Sequence, residues 1–382
     1  MKKKNLLKND AVQSLLASLG CIVFGLLVGY IVLLFIQPKG AGKAILTIIE
    51  NFFTYNRAET QMKYLGSTLV KTAPLLMCSL SILFAYKVGL FNIGAAGQYV
   101  VGSCASLYAA LAWGWSWLPC MLFAVAAGMA AGAIVGLLKT FCNVNEVISG
   151  IMLNWIFLYA TNMILTNVKE VASPYTYQMH SAAQQALLPS LGLDKLFSGN
   201  QYVTIAIPLA ILMAILVWVV LEKTRFGYEL KACGCNKNAA KYAGIDEKRS
   251  IILSMIIAGA LAGFGAGLYY LSGAAQWIPG DSTALPSEGF DGISVALLAS
   301  SDPIAAIFSA IFISHISTGG GFMNASLFPP EIADIISGII IYLCAFSLLF
   351  KNLIVTLFTG KHKKAPEPAK TDAKKPDGKE VQ

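Results

Sequence analysis

Charge is what this chain has least of. Only 13% of its 382 residues are Asp, Glu, Lys or Arg, where soluble domains carry about 25%. Against that deficit stand 56% hydrophobic residues and a mean hydropathy of +0.65. The balance excludes an ordinary soluble globule and points to a membrane. Histidine is scarcer still, at three residues. Cys233 and Cys235 have the wrong spacing for a zinc pair, and no second pair follows, so neither a metal nor a cofactor is expected. Cys21, Cys78, Cys104, Cys120 and Cys344 lie in apolar runs, where cysteine acts as a small hydrophobe. No G-x-x-x-x-G-K-[ST] occurs, and "GAGKA" at 40–44 has the wrong spacing and no hydroxyl after Lys43. The chain therefore has no P-loop route to ATP, and no residue reads as catalytic. Transport driven by energy would need an ion gradient or a separate ATPase subunit. No nucleic-acid partner is expected.

What is present is a series of long apolar runs. A spanning helix takes about 20 mostly apolar residues, because backbone polar groups in hydrocarbon must be bonded within their own segment. Leu15–Ile36, Leu65–Ala85, Ile93–Ala112, Leu118–Leu138, Val147–Leu165, Tyr202–Leu221 and Ile251–Leu271 meet that length, followed by Phe290–Ser300, Pro303–Ser317 and Ile332–Phe350. The expected fold is an all-α polytopic membrane protein of about ten transmembrane segments. Phe290–Ser300 and Pro303–Ser317 are short, which suits half-helices, a re-entrant pair or tilted pieces. Residues 1–14 read as an amino-terminal tail, 15–351 as the membrane domain, and 352–382 as a disordered tail rich in Lys, Pro, Ala and Asp.

The net charge of +8 gathers in the two tails and in one central stretch, and no Lys or Arg occurs between Arg249 and Lys351. By the positive-inside rule these three basic places share the cytoplasmic side, with both termini there. The loop Gln37–Tyr64 is contrary, because it would put Lys39, Lys43, Arg57 and Lys63 outside. Within it, "GKAILTIIENFFTYNRAE" reads as an interfacial helix. The polar stretch Asn167–Gln201 reads equally as a docking loop and as a connector held by its own side chains.

The central stretch, "KTRFGYELKACGCNKNAAKYAGIDEKR" at 223–249, is the core of a loop at 222–249. Asn236 can cap a short helix through Ala243, with Gly244 as a left-handed terminator. Ala239 and Ala243 share a face with Ala240 beside them and Tyr242 at the rim, and Lys237 and Lys241 fall on the exposed side. Two readings stand side by side: a solvated connector, or a docking helix whose small residues let another surface approach.

The residues Gly234, Asn236, Ala239, Ala240, Tyr242, Ala243, Gly244 and Ile245, followed by "AGALAGFGAG" at 258–267, resemble the coupling loop of permease subunits of bacterial ABC importers. The branch is the one that carries nucleosides and simple sugars. "GLFNIGAAGQ" at 89–98, "VNEVISGIMLNWI" at 144–156 and "GFDGISVALL" at 289–298 agree with it, and the first is similar to nucleoside permeases. The resemblance implies an ABC permease fold that couples ATPase motion through Gly234, Asn236, Ala239, Ala240, Tyr242, Ala243 and Gly244. It also implies cytoplasmic ATPase subunits, a second permease, an extracytoplasmic substrate-binding lipoprotein, and alternating access in a bacterial plasma membrane with its lipid. Simple sugars or riboflavin are other ligands of that branch. An ion-gradient-driven secondary transporter is the rival of a different class.

For a substrate pathway, Asn92, Gln98, Asn154 and Asp291 are the candidates. Asn92 and Gln98 carry amides able to read hydroxyls or base edges, although Asn92 equally suits a helix cap. Asn154 lies near mid-span. Asp291 is an acid at membrane depth, and also suits a first-turn position where the helix dipole favours an anion. The family usually has an acid where Ala96 stands, and Lys71 reads as a residue that snorkels to the outer interface.

Overall fold

Backbone in hydrocarbon has to bond its own N–H and C=O groups, and the apolar runs do so as helices. The computed structural model describes residues 10–280, 284–323, 327–328 and single positions between 332 and 343. The carboxy-terminal tail 352–382, the first nine residues and most of the expected segment Ile332–Phe350 lie outside the described residues. The helices longer than one turn are α1 (Asp10–Ile36), α2 (Ala41–Glu50), α3 (Ala58–Tyr86), α4 (Ala95–Leu111), α5 (Trp117–Phe141), α6 (Glu146–Leu165) and α7 (Ala206–Lys223). After them come α8 (Arg225–Cys235), α9 (Lys237–Tyr242), α10 (Glu247–Tyr270), α11 (Ser287–Leu298) and α12 (Pro303–Gly320). No strand longer than a single bridge pair, Lys169 with Thr176, occurs among the described residues. Helices stand at nine of the ten expected segments. By length and composition, α3, α5, α6, α7, α10 and α12 are able to cross a membrane. With 18 residues, α12 is longer than the sequence reading allowed, whereas α11 has only 12.

Polar contacts sort the helix ends into two faces. On one, Lys139 at the end of α5 pairs with Glu146 at the start of α6 at 2.7 Å. On that same face Lys248 lies over the Phe141 ring at 5.8 Å, and Gly234 of α8 packs against the turn after α3. This is the face of the 223–249 stretch. Five helices that begin there carry a side-chain N-cap: Asn145 for α6, Thr224 for α8, Asn236 for α9, Asp246 for α10 and Asp302 for α12. Each cap satisfies amide donors that a helix start leaves unpaired.

The opposite face is closed by the segment 166–205, which is tied down at several points. The Thr176 amide donates to the Trp277 carbonyl at 2.8 Å, the Trp277 indole to Asn162 at 2.7 Å, and the Asn200 amide to the Lys63 carbonyl at 2.8 Å. The segment is thus held to its neighbours by backbone and side-chain bonds alike. Nearby, α2 buries Ala41, Ala44 and Ile48 and leans on α12. The turn after it holds Asn51, whose side-chain nitrogen donates to the His315 carbonyl at 2.9 Å.

The core sits on α3 and on the seam between α5 and α10. In its most apolar stretch α3 is 89% buried, against 28% for α7, so α3 is the central post and α7 a peripheral one. On α5, Gly128, Gly132 and Gly136 recur every four residues and lie along one line. A methyl group at Gly128 would run into the Gly259 carbonyl of α10, and one at Gly132 into the Met255 carbonyl. Glycine is required here because the two backbones touch, which gives dispersion contact that lipid tails could not match. The run "AGALAGFGAG" is the α10 side of this seam. Gly20, by contrast, has nothing within 4 Å of the position its Cβ would take. We expect Gly132→Leu to destabilise the protein by about 1–3 kcal/mol or more through overpacking, read as a lower melting temperature in detergent. Gly20→Leu should leave that temperature nearly unchanged.

Candidate functional site

The loop between α3 and α4 is where the chain turns irregular inside the apolar layer. α3 ends in a left-handed turn at Gly89 (φ 79°), with the Gly89 amide bonded to the Tyr86 carbonyl at 2.9 Å and the Leu90 amide to the Ala85 carbonyl at 3.2 Å. This pair of bonds is the Schellman pattern that ends helices at glycine. From Leu90 the chain folds back alongside α3, so that Asn92 reaches Ser81 at 3.0 Å. Asn92 does not cap α4, whose N-cap is Gly94. Its amide pairs instead with that of Gln98, Asn92 donating at 2.9 Å and Gln98 donating back at 3.2 Å. Both side chains are buried.

Asn154, also buried, completes the arrangement from α6. Its oxygen accepts from the Gly97 amide at 2.8 Å, and its nitrogen donates to the Ile93 carbonyl at 3.1 Å. Gly150, one turn earlier, lies directly against Gly94. The structure thus brings Asn92, Gln98 and Asn154 together, and their amides are occupied by one another and by the 93–97 backbone. In this conformation they hold a loop, and no amide edge among them is turned to an open channel.

Asp291 lies apart from that cluster, on α11. The helix starts at Ser287 behind Pro286, so Asp291 is a full turn inside it and the first-turn acid is Glu288. This corrects the expected first-turn position of Asp291. Gly289 packs against Ala96, and Gly292 against Cys78 and Ser79 of α3. Cys78 is about two turns from the end of α3, so α11 begins well within the layer as a half-helix. Ser287 and Phe290 are exposed on the chain, while Glu288 and Asp291 are half-buried. Lys71 of α3 is exposed and within electrostatic reach of Glu288, so its neighbour is an acid of α11. Sequence reasoning missed Glu288 because it began the segment at Phe290. The signal was there in Pro286, which suits the residue ahead of a helix whose first turn favours acids. Where Ala96 stands, Gly289 occupies the space a longer side chain would need.

At the 223–249 stretch the local reading is realised closely. Asn236 accepts from the Ala239 amide at 3.0 Å and caps α9. Gly244 (φ 78°) ends it, its amide bonding to the Lys241 carbonyl and that of Ile245 to the Ala240 carbonyl, both at 3.0 Å. Ala239, Ala243 and Tyr242 are exposed, Tyr242 at 95%. Ala240 differs from expectation: it is 3% exposed and packs inward, so it is small to fit its own chain. Lys237 pairs with Glu247 at 3.1 Å. Gly234 is exposed on one side and abuts the turn after α3 on the other, where a methyl group would strike the Lys87 carbonyl. Lys87 is itself set among Glu222, Lys231 and Asp302, and burial pushes its ammonium down despite the two acids. Among the described residues no three His, Cys, Asp or Glu side chains gather as a metal site would need.

Residues 64–345 match the family described as branched-chain amino acid transport system / permease component. The chain is 34% identical, over 96% of its length and all of the relative's, to the nucleoside ABC transporter permease protein NupB of Lactococcus lactis subsp. cremoris. It is 34% identical to the guanosine ABC transporter permease protein NupP of Bacillus subtilis, over 75% of this chain and 82% of that one. A glucose ABC transporter permease protein of Haloferax volcanii is 26% identical over 81% of this chain and 84% of its own. No solved structure matches.

Replacing Asn154 by Leu, which is close in size, would leave the Gly97 amide and the Ile93 carbonyl without partners. The expected cost is about 1–3 kcal/mol for each group left unpaired, seen as a lower melting temperature and faster hydrogen exchange at the Gly97 amide.

Proposed function

This chain belongs to the branched-chain amino acid transport system / permease component family, and on that premise we propose that it is the membrane-spanning subunit of an ATP-driven importer of nucleosides. The observation that carries the ligand class is the 34% identity to a nucleoside permease over 96% of this chain and the whole of that relative. The guanosine permease supports the same class, and the glucose permease, at 26%, makes simple sugars the second reading.

In this reading ATP is hydrolysed by separate cytoplasmic subunits that dock on the 222–249 loop. The docking surface is Ala239, Tyr242 and Ala243, small residues around one fully presented aromatic ring, with Lys241 as a charged flank. Both termini then lie in the cytoplasm, and an extracytoplasmic binding protein delivers ligand to the opposite face, where 166–205 is held firm enough to receive it. A second permease completes the pathway, and alternating access moves the solute between the two. The half-helix α11, with Glu288, Phe290 and Asp291 on its less covered side, lines that pathway. Asn92, Gln98 and Asn154 set the loop beside it in place. Glu288 and Asp291 inside the layer are also what an ion-coupled carrier would use, so energy source is the property to test.

We expect Ala239→Arg or Ala243→Arg to abolish co-purification of the ATPase subunits and to lower ATP-dependent guanosine uptake in proteoliposomes by about tenfold or more. Uptake that survived these changes and collapsed on adding an ionophore would establish the ion-coupled alternative.

A further inference from the structure

We infer that Gly234 and the turn Lys87–Gly89 form the joint through which the cytoplasmic loop acts on the pathway loop 89–98. The inference rests on the reading of 222–249 as the ATPase docking loop, and deepens it by naming the residues that pass motion inward.

The joint is a backbone contact. A methyl group on Gly234 would collide with the Lys87 carbonyl and lie 3.2 Å from the Gly89 nitrogen, and the Gly89 Cβ position is 3.6 Å from the Gly234 carbonyl oxygen. No side chain intervenes that could absorb a displacement by changing rotamer. Gly89 is also the left-handed residue that ends α3, so whatever shifts it shifts both the end of the central post and the direction of the loop leaving it.

From there the loop has no slack. Asn92 is tied back to Ser81 of α3 and to Gln98. Ile93 and Gly97 are fastened to Asn154 of α6. Ala96, between those fastenings, carries Gly289 of α11. Close-packed interiors answer a push by moving to another packed arrangement and deform little continuously. A displacement of α8 and α9 therefore reaches the start of α11 through a loop pinned at both ends. Lys87 adds an electrostatic tie at the same point, because it is attracted by Glu222 at the end of α7 and by Asp302, which caps α12.

The test uses the reconstituted complex with its ATPase subunits and binding protein, and reads uptake and ATP hydrolysis in parallel. Gly89→Ala forces a side chain into a left-handed backbone while leaving ordinary contact distance to Gly234, and Gly234→Ala closes the joint from the other side. Each is expected to retain the ATPase subunits and ligand-stimulated hydrolysis while uptake per ATP falls by about tenfold. The double variant should be no worse than the more severe single one, because both act on one contact. Three results would overturn the inference: unchanged uptake, uptake and hydrolysis falling together in proportion, or loss of the ATPase subunits from both variants. Ala239→Arg separates this from the premise. If that variant keeps its ATPase subunits and its uptake, the docking reading itself fails, whatever the two glycine variants do.

Discussion

One hydrogen bond donated by the Asn154 side chain to Ile93 and one accepted from Gly97 hold a stretch of irregular backbone against the first turn of α4 inside an apolar layer, and much of the architecture is arranged around that fact. Peptide groups at membrane depth that are not in a helix must find partners within the protein. In residues 89–94 the Gly89 and Leu90 amides find carbonyls at the end of α3 and the Ile93 carbonyl finds Asn154, while the Asn92 side chain is held by Ser81 and Gln98. An asparagine suits the post on α6 because it offers one acceptor and donors on one planar group, matching an N–H and a C=O four residues apart. Because the loop is held there, α4 can start below the layer's surface, and its first turn can meet the first turns of α11.

The glycines solve a related problem by steric means. Side chains gain little by leaving lipid for a protein interior, so helices in a membrane adhere through close contact. The α5–α10 seam brings carbonyls of one helix against α-carbons of the other. The same device recurs where Gly289 and Gly292 set α11 against α4 and α3. At these helix seams glycine therefore marks contact rather than flexibility, whereas at Gly89 and Gly244 it serves a left-handed turn that ends a helix.

How much of this was legible in the sequence depended on range. The cap at Asn236 and the terminator at Gly244 were readable because both are decided within a few residues. The helices were readable because hydrocarbon allows few other structures. The inward turn of Ala240 was not, since which side of a short helix is covered is set by α8 and α10 and not by its own spacing. The Asn92–Gln98 pairing was hidden for the same reason: the two residues are six apart, with a fold-back between them that no local pattern announces. Glu288 was overlooked because the segment boundary was drawn by hydropathy, which blurs a helix start lying inside an apolar layer. Lys71 could be seen as a charge in an apolar run, but its neighbour on α11 could not.

The helix ends on the face of the 223–249 stretch are closed by groups of the protein itself. Asn145, Thr224, Asn236, Asp246 and Asp302 take up first-turn amides, and the turns at Gly89 and Gly244 take up last-turn carbonyls. Were those donors and acceptors bonded to water, any partner covering the face would strip that water away, and each orphaned group would weaken the complex by the full desolvation penalty. Here the solvent can leave without breaking the caps. The first-turn amides so capped keep their partners within the protein whether that face is bare or covered.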